Sequence, residues 1–205
     1  MEKMTGPLIE WGVAARPLAG EDQSGDSYVI KTLGDKVLAA AIDGLGHGSE
    51  AAEAARIAAM TLTNHASEDI ISLVKICHET LTKTRGVVLS VASIDLAKNT
   101  MTWLGVGNVV GLLMRADPAA VPSHESLMQR GGVVGYQMPS LRATTVEIKK
   151  RDTLIFTTDG IRSGFDRGVN RRSSPQRIAD AVIANFNRKT DDALVLVVRY
   201  IGDTL

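Results

Sequence analysis

The succession of apolar segments predicts an α+β fold of two mostly antiparallel sheets with helices packed on their outer faces. Three observations lead there. The order is strands, two helices, many strands, one helix and one strand, so the strict βαβ alternation of a doubly wound parallel sheet is missing. Segments 27–33 (SYVIKTL) and 37–42 (VLAAAI) are separated only by Gly34 and Asp35, a short turn that calls for a hairpin. Residues 193–200 (ALVLVVRY) form a nearly all-apolar strand, suited to the middle of a sheet.

The remaining elements follow in order. After the hairpin, Ala51, Ala55, Ala58 and Leu62 recur at helical spacing and predict a helix from about 49 to 65. Ser67 is the predicted N-cap of a second helix, with Glu68 and Asp69 near its positive end and Ile70, Val74, Cys77 and Leu81 as its buried stripe. Segments 87–96, 101–106 and 109–114 read as strands, as do 143–148 and 153–158. Residues 115–140 between them read as a mobile surface loop. Ser174-Pro175, a capping residue followed by proline, opens a last helix whose face is Ile178, Val182 and Phe186.

Composition narrows the function. The 205 residues suit one domain, or at most two very small ones. Basic and acidic residues balance at 23 each, so no net field draws nucleic acid or an anionic membrane. The single cysteine, Cys77, excludes an internal disulfide and a cysteine-rich zinc site. No secretory leader and no membrane-length apolar run is read, and a cytoplasmic monomer is the default expectation.

Four acidic spots share one pattern. Asp26 (QSGDSY) starts a strand. Asp43 (AIDGLG) and Asp159 (FTTDGI) each end an apolar strand and precede a glycine, and Asp191-Asp192 (KTDDALVLVV) opens the last strand. Carboxylates brought together from distant parts of a chain repel unless a cation neutralises them. Hard divalent ions take oxygen ligands, and glycine after the aspartate lets the backbone carbonyl of Gly44 approach one. Two such ions about 3.5–4 Å apart, sharing Asp43, would lower the pKa of an intervening water and create a nucleophile for phosphorus. An Asp-Gly pair taken alone is more often an ordinary turn.

The motifs SGDSY, AIDGLGHG, RGVVLSVASID, GVGNV, TTDGI and TDDALVLVV occur in the order found in metal-dependent protein phosphatases of the 2C type, and they most resemble the compact SpoIIE-like branch and its stressosome phosphatases. The resemblance covers nearly the whole chain and implies one domain over 1–205, a four-layer αββα sandwich. It also implies a binuclear Mn²⁺ or Mg²⁺ centre and serine/threonine phosphoprotein hydrolysis by a metal-activated water, without a phosphoenzyme. Matched by motif, Asp26, Asp43, the Gly44 carbonyl, Asp159 and Asp191 become metal ligands, with Asp192 a further candidate. The implied substrates are phosphorylated stressosome scaffold proteins of the RsbS and RsbR type, in a stress or second-messenger pathway.

Three departures from that family stand out. Leu45 occupies the place of a histidine proposed as general acid in larger members, and His47, two residues on, is the candidate proton donor here. Arg16 is the nearest basic residue before Asp26, at a poor spacing for the family's phosphate-binding arginine. Glu21-Asp22 mimics an acidic pair of the larger enzymes, but SGDSY leads directly into the strand and favours Asp26. The flap insertion of large members is also expected to be missing.

Arg162, Arg167, Arg171 and Arg172 follow TTDG and are candidates to steer a phosphorylated partner, against the plainer reading of a solvated loop. A dinucleotide-binding turn is rejected, because Gly44, Gly46 and Gly48 give G-x-G-x-G and Asp43 would face the pyrophosphate. A non-catalytic docking domain is the other alternative, and the full set of acids speaks against it.

Overall fold

The computed structural model describes residues 9–202. Its first sheet runs β1 (Ile9–Arg16), β11 (Ala193–Tyr200), β10 (Thr153–Thr157), β6 (Val110–Met114) and β7 (His124–Ser126). The second runs β2 (Asp26–Leu33), β3 (Lys36–Gly44), β4 (Val87–Asp95), β5 (Thr100–Val106) and β8 (Gln129–Arg130), with β9 (Thr144–Glu147) also paired to β5. All pairings are antiparallel except β5 with β8.

Strand alternation explains why both sheets are buried on two faces. On β3, Leu38, Ala40 and Ile42 pack under α1 (Ser49–Asn64) and α2 (Ile70–Thr80), while Val37, Ala39 and Ala41 face the other sheet. On β11, Leu194, Leu196, Val198 and Tyr200 meet that inter-sheet core, and Ala193, Val195 and Val197 pack under α3 (Pro175–Phe186). Three apolar layers between four structural layers result, the expected αββα sandwich. The small residues Ala51, Ala54, Ala55 and Ala58, all buried, let α1 lie close on β3.

The expected hairpin, the helix from 49, the strands and the Ser174 cap are present, Ser174 Oγ accepting from the Arg177 N–H. The last strand is flanked on both sides, and its eight residues are all buried. Two expectations are corrected. The second helix is capped by Asp69 and not Ser67, its carboxylate accepting from the N–H groups of Ile71 and Ser72. The 115–140 segment holds β7 and β8, one at an edge of each sheet, and buries Leu127 and Val134 in the core. Strand β1 had no counterpart in the sequence reading. Among the described residues, no helix is long and apolar enough to cross a membrane.

Candidate active site

Four strand ends meet at one end of the sandwich. Asp26 and Asp43 are direct cross-strand partners on β2 and β3. Asp159 follows β10, and Asp191-Asp192 precedes β11. Strands β10 and β11 are antiparallel neighbours, so the end of one lies beside the start of the other. Gly160 is needed for that approach, since a Cβ there would fall 1.9 Å from the Asp192 carbonyl oxygen. Gly44 is required for the same kind of reason: a Cβ would meet the Ala51 carbonyl of α1 at 2.2 Å. The turn then continues through Gly46 and Gly48, at φ 90° and 78°, a region closed to most side chains.

Asp43, Asp159 and Asp191 line one open cleft of about 390 Å³ with Leu45, Gly46 and Asn108. Asp26 stands beside Asp43 and also borders a separate hollow against α1, near Arg56. Thr158 links the two sheets at this point. Its hydroxyl accepts from the Leu194 N–H and donates to Asp26 Oδ2, at 2.8 Å each.

The electrostatics are those of uncompensated acids. Burial, then Asp43, pushes Asp26 up to about 8, against a lowering from the Thr158 hydrogen bond. Burial, then Asp159, Asp191 and Asp192, pushes Asp43 up to about 7. Asp159 is raised by burial and by Asp191, while its hydrogen bond from Asn108 Nδ2 (2.8 Å) and the charge of Arg188 act the other way. None of Asp26, Asp43, Asp159 and Asp191 is in an ion pair among the described residues.

This donor set fits hard divalent cations, because these clustered carboxylates have no basic side chain at ion-pair distance and an ion could neutralise them. Among the described residues no three acidic, imidazole or thiol side chains converge as a ready chelate.

Asp192 behaves differently from its neighbour. It is buried, with Oδ1 accepting from the Leu18 N–H and Oδ2 from the Gly25 N–H, both at 2.8 Å. It thereby anchors the segment that delivers Asp26. His47 lies on the glycine turn with Nδ1 2.8 Å from Glu21 Oε1. Arg16, Arg162, Arg167, Arg171 and Arg172 do not line the cleft. Arg162 donates to the Asn185 carbonyl and lies over the Phe186 ring, whereas Arg167 and Arg172 are exposed. Sequence reasoning missed Thr158, Asn108 and Glu21 as contributors; TTDG and GVGN were noticed, but no feature of the chain reveals what their polar side chains touch.

A family profile described as Stage II sporulation protein E (SpoIIE) matches residues 34–201. The chain belongs to this family. The phosphoserine phosphatase RsbX of Bacillus subtilis (strain 168) is 28% identical over 180 residues, covering 84% of this chain and 85% of that protein. A solved chain described under the bacterial stressosome, a modular system adapted to control secondary messenger signalling, superposes with a TM-score of 0.85 at 26% identity. The match covers 93% of this chain and 99% of the other. RsbX in complex with magnesium gives a TM-score of 0.83 at 23% identity over 97% of each chain, a likeness of fold. The protein is therefore a serine/threonine protein phosphatase of the 2C type, in a metal-dependent family.

Proposed function

We propose that this phosphatase hydrolyses phosphoserine or phosphothreonine in stressosome scaffold proteins of the RsbS and RsbR type, at a cleft that holds two Mn²⁺ or Mg²⁺ ions. The observation that carries the metal reading is the meeting of Asp26, Asp43, Asp159 and Asp191 without any basic partner at ion-pair distance among the described residues. Asp43, at the centre of the repulsion, would hold the ions along with Asp26, Asp159, Asp191 and the Gly44 carbonyl. When bound, the ions activate a water for attack and offset the charge of the phosphoryl group.

The other residues position and exchange protons. Asp192, with both oxygens engaged by backbone, holds Gly25 and hence Asp26 in place and acts as a positioning residue. Asn108 orients Asp159. As the P–O bond to the serine oxygen breaks and a bond to the water oxygen forms, the departing alkoxide takes a proton. His47, on the glycine turn with Nδ1 beside Glu21, is the candidate donor, and it can give up an Nε2 proton only as the imidazolium. The stressosome assignment is supported by similarity to RsbX and to the solved stressosome chain.

Phosphate release from a phosphorylated scaffold protein, with Mn²⁺, with Mg²⁺ and with chelator, tests this reading. Release is expected only with an ion present, and calorimetric titration is expected to give two ions per chain. Turnover untouched by chelator would overturn the metal reading. Efficient release from unrelated phosphopeptides but not from scaffold proteins would overturn the substrate assignment.

A further inference from the structure

A phosphoryl dianion entering a cleft walled by carboxylates needs donors besides the metal, yet the arginines that follow Asp159 in sequence lie off the cleft. A different arginine lines the neighbouring hollow and touches the cleft's glycine turn. The connection between α2 and β4 is pinned to the glycine turn, since the Leu45 N–H donates to the Gly86 carbonyl at 3.1 Å. Arg85 precedes that carbonyl, and a Cβ built on Gly46 would lie 2.9 Å from its Nη1. The guanidinium therefore rests on Gly46, which lines the same cleft as Asp43, Asp159 and Asp191. Its partner is Glu50, reached through Nε and Nη2, and the two side chains are 50% and 67% exposed. An ion pair so open to water is screened and weak. A phosphate also offers two oxygens to the guanidinium fork, and with more negative charge.

We propose that Arg85 is the substrate-binding guanidinium of this phosphatase: it is parked on Glu50 in the free protein and turns to the phosphoryl oxygens when a phosphoserine enters. Glu50 loses little on release, because it lies in the first turn of α1, where the helix dipole favours an anion. A hollow of about 410 Å³ beside Arg85, bordered by Lys83, Thr84 and Glu53, leaves room for the polypeptide flanking the phosphorylated residue. The inference deepens the reading of the cleft given above and rests on it.

The test compares wild type, Arg85→Ala, Arg85→Lys, Glu50→Gln and, as control, Arg188→Ala, whose charge acts on Asp159. Inorganic phosphate serves as a product inhibitor, with p-nitrophenyl phosphate turnover and Mn²⁺ affinity measured in parallel. Arg85→Ala is expected to raise the phosphate inhibition constant and KM by about ten-fold or more, the loss of a charge-assisted contact, with Mn²⁺ affinity unchanged. Arg85→Lys should recover part of this, and Glu50→Gln should keep or tighten phosphate binding. An unchanged inhibition constant in Arg85→Ala overturns the proposal, as does a parallel loss of Mn²⁺ affinity or a larger effect of Arg188→Ala. A wild type that releases no phosphate with either ion instead sinks the reading of the cleft itself, and the Arg85 assignment with it.

Discussion

Strand β10 carries an aspartate just beyond each end, and the two are treated in opposite ways. Asp152, before the strand, is buried at 3% exposure and fully compensated: Arg115 Nη1 donates to Oδ2 at 2.8 Å, and the backbone N–H groups of Ala116 and Lys149 complete its bonding. Glu125 shares the same arginine, and the hollow beside this cluster has the same volume as the acidic cleft, about 390 Å³. Asp159, after the strand, receives one neutral amide hydrogen bond and faces Asp191 and Asp43. Pocket size does not separate the two ends; charge balance does. The Asp152 end is an ion pair that holds the fold together. The Asp159 end carries a repulsion that the folded chain tolerates and that a bound cation would relieve.

The sharpest way to break this comparison is to neutralise one acid at each end. Asp43→Asn is expected to lower metal-dependent turnover by well over the roughly 10–100-fold that follows loss of a ligand's supporting partner, while the metal-free fold melts at the same or a higher temperature. Asp152→Ala is expected to do the reverse. Arg115 keeps Glu125 but loses its other carboxylate, and the N–H groups of Ala116 and Lys149 lose their acceptor. The cost is about 2 kcal/mol, a fall of roughly 4–8 °C in melting temperature, and the folded fraction keeps its activity. Thermal melts beside phosphate-release assays decide it. Equal loss of activity in both variants would mean that the two ends do not differ in kind.

A smaller effect should appear with pH. Asp26 and Asp43 titrate near 8 and 7 in the fold, against an unfolded value of 3.8, so between these limits the native state binds more protons than the unfolded one. Stability of the metal-free protein therefore falls as pH rises from about 4 to 8. Melts at pH 5 and pH 8 should differ by several degrees, with added Mn²⁺ raising the pH 8 value more. A melting temperature that rises over this interval in chelator would contradict the raised carboxyl pKa values.

The smallest effect is expected at the exposed Arg167 and Arg172. Replacing both with alanine should reduce kcat/KM on a phosphorylated scaffold protein by about two- to five-fold, at low salt most of all, because rim charges act on association rate. Turnover of p-nitrophenyl phosphate should not change. Equal loss on both substrates would place these arginines in the chemistry and not at its rim.

Much of the architecture was legible because both sheets are covered on two faces. Runs such as VLAAAI and ALVLVVRY have no solvent side to interrupt them. Strand β1 escaped because it is an edge strand whose only fully buried residue is Gly12, leaving no apolar alternation to read. Strands β7 and β8, three and two residues long, are shorter than any period can reveal. Ser67 and Asp69 are both good caps two residues apart, and the backbone chooses between them.

The acids themselves were legible because several of them recur at the ends of apolar strands, where one Asp-Gly pair alone would read as a turn. Asp191 and Asp192, by contrast, look alike in sequence. They stand just before β11, where the turn sends Asp191 to the cleft and Asp192 to the N–H groups of Leu18 and Gly25. Thr158, Glu21 and Arg85 were beyond reach for a similar reason: each acquires its role from a partner more than 20 residues away in the chain.

The hydroxyl of Thr158 has a mechanical implication. Because one oxygen is fastened to the backbone of β11 and its hydrogen to the carboxylate of Asp26, the two halves of the cleft share a common ruler. A shift of one layer against the other would change the spacing between Asp26 and the acids flanking β10 and β11.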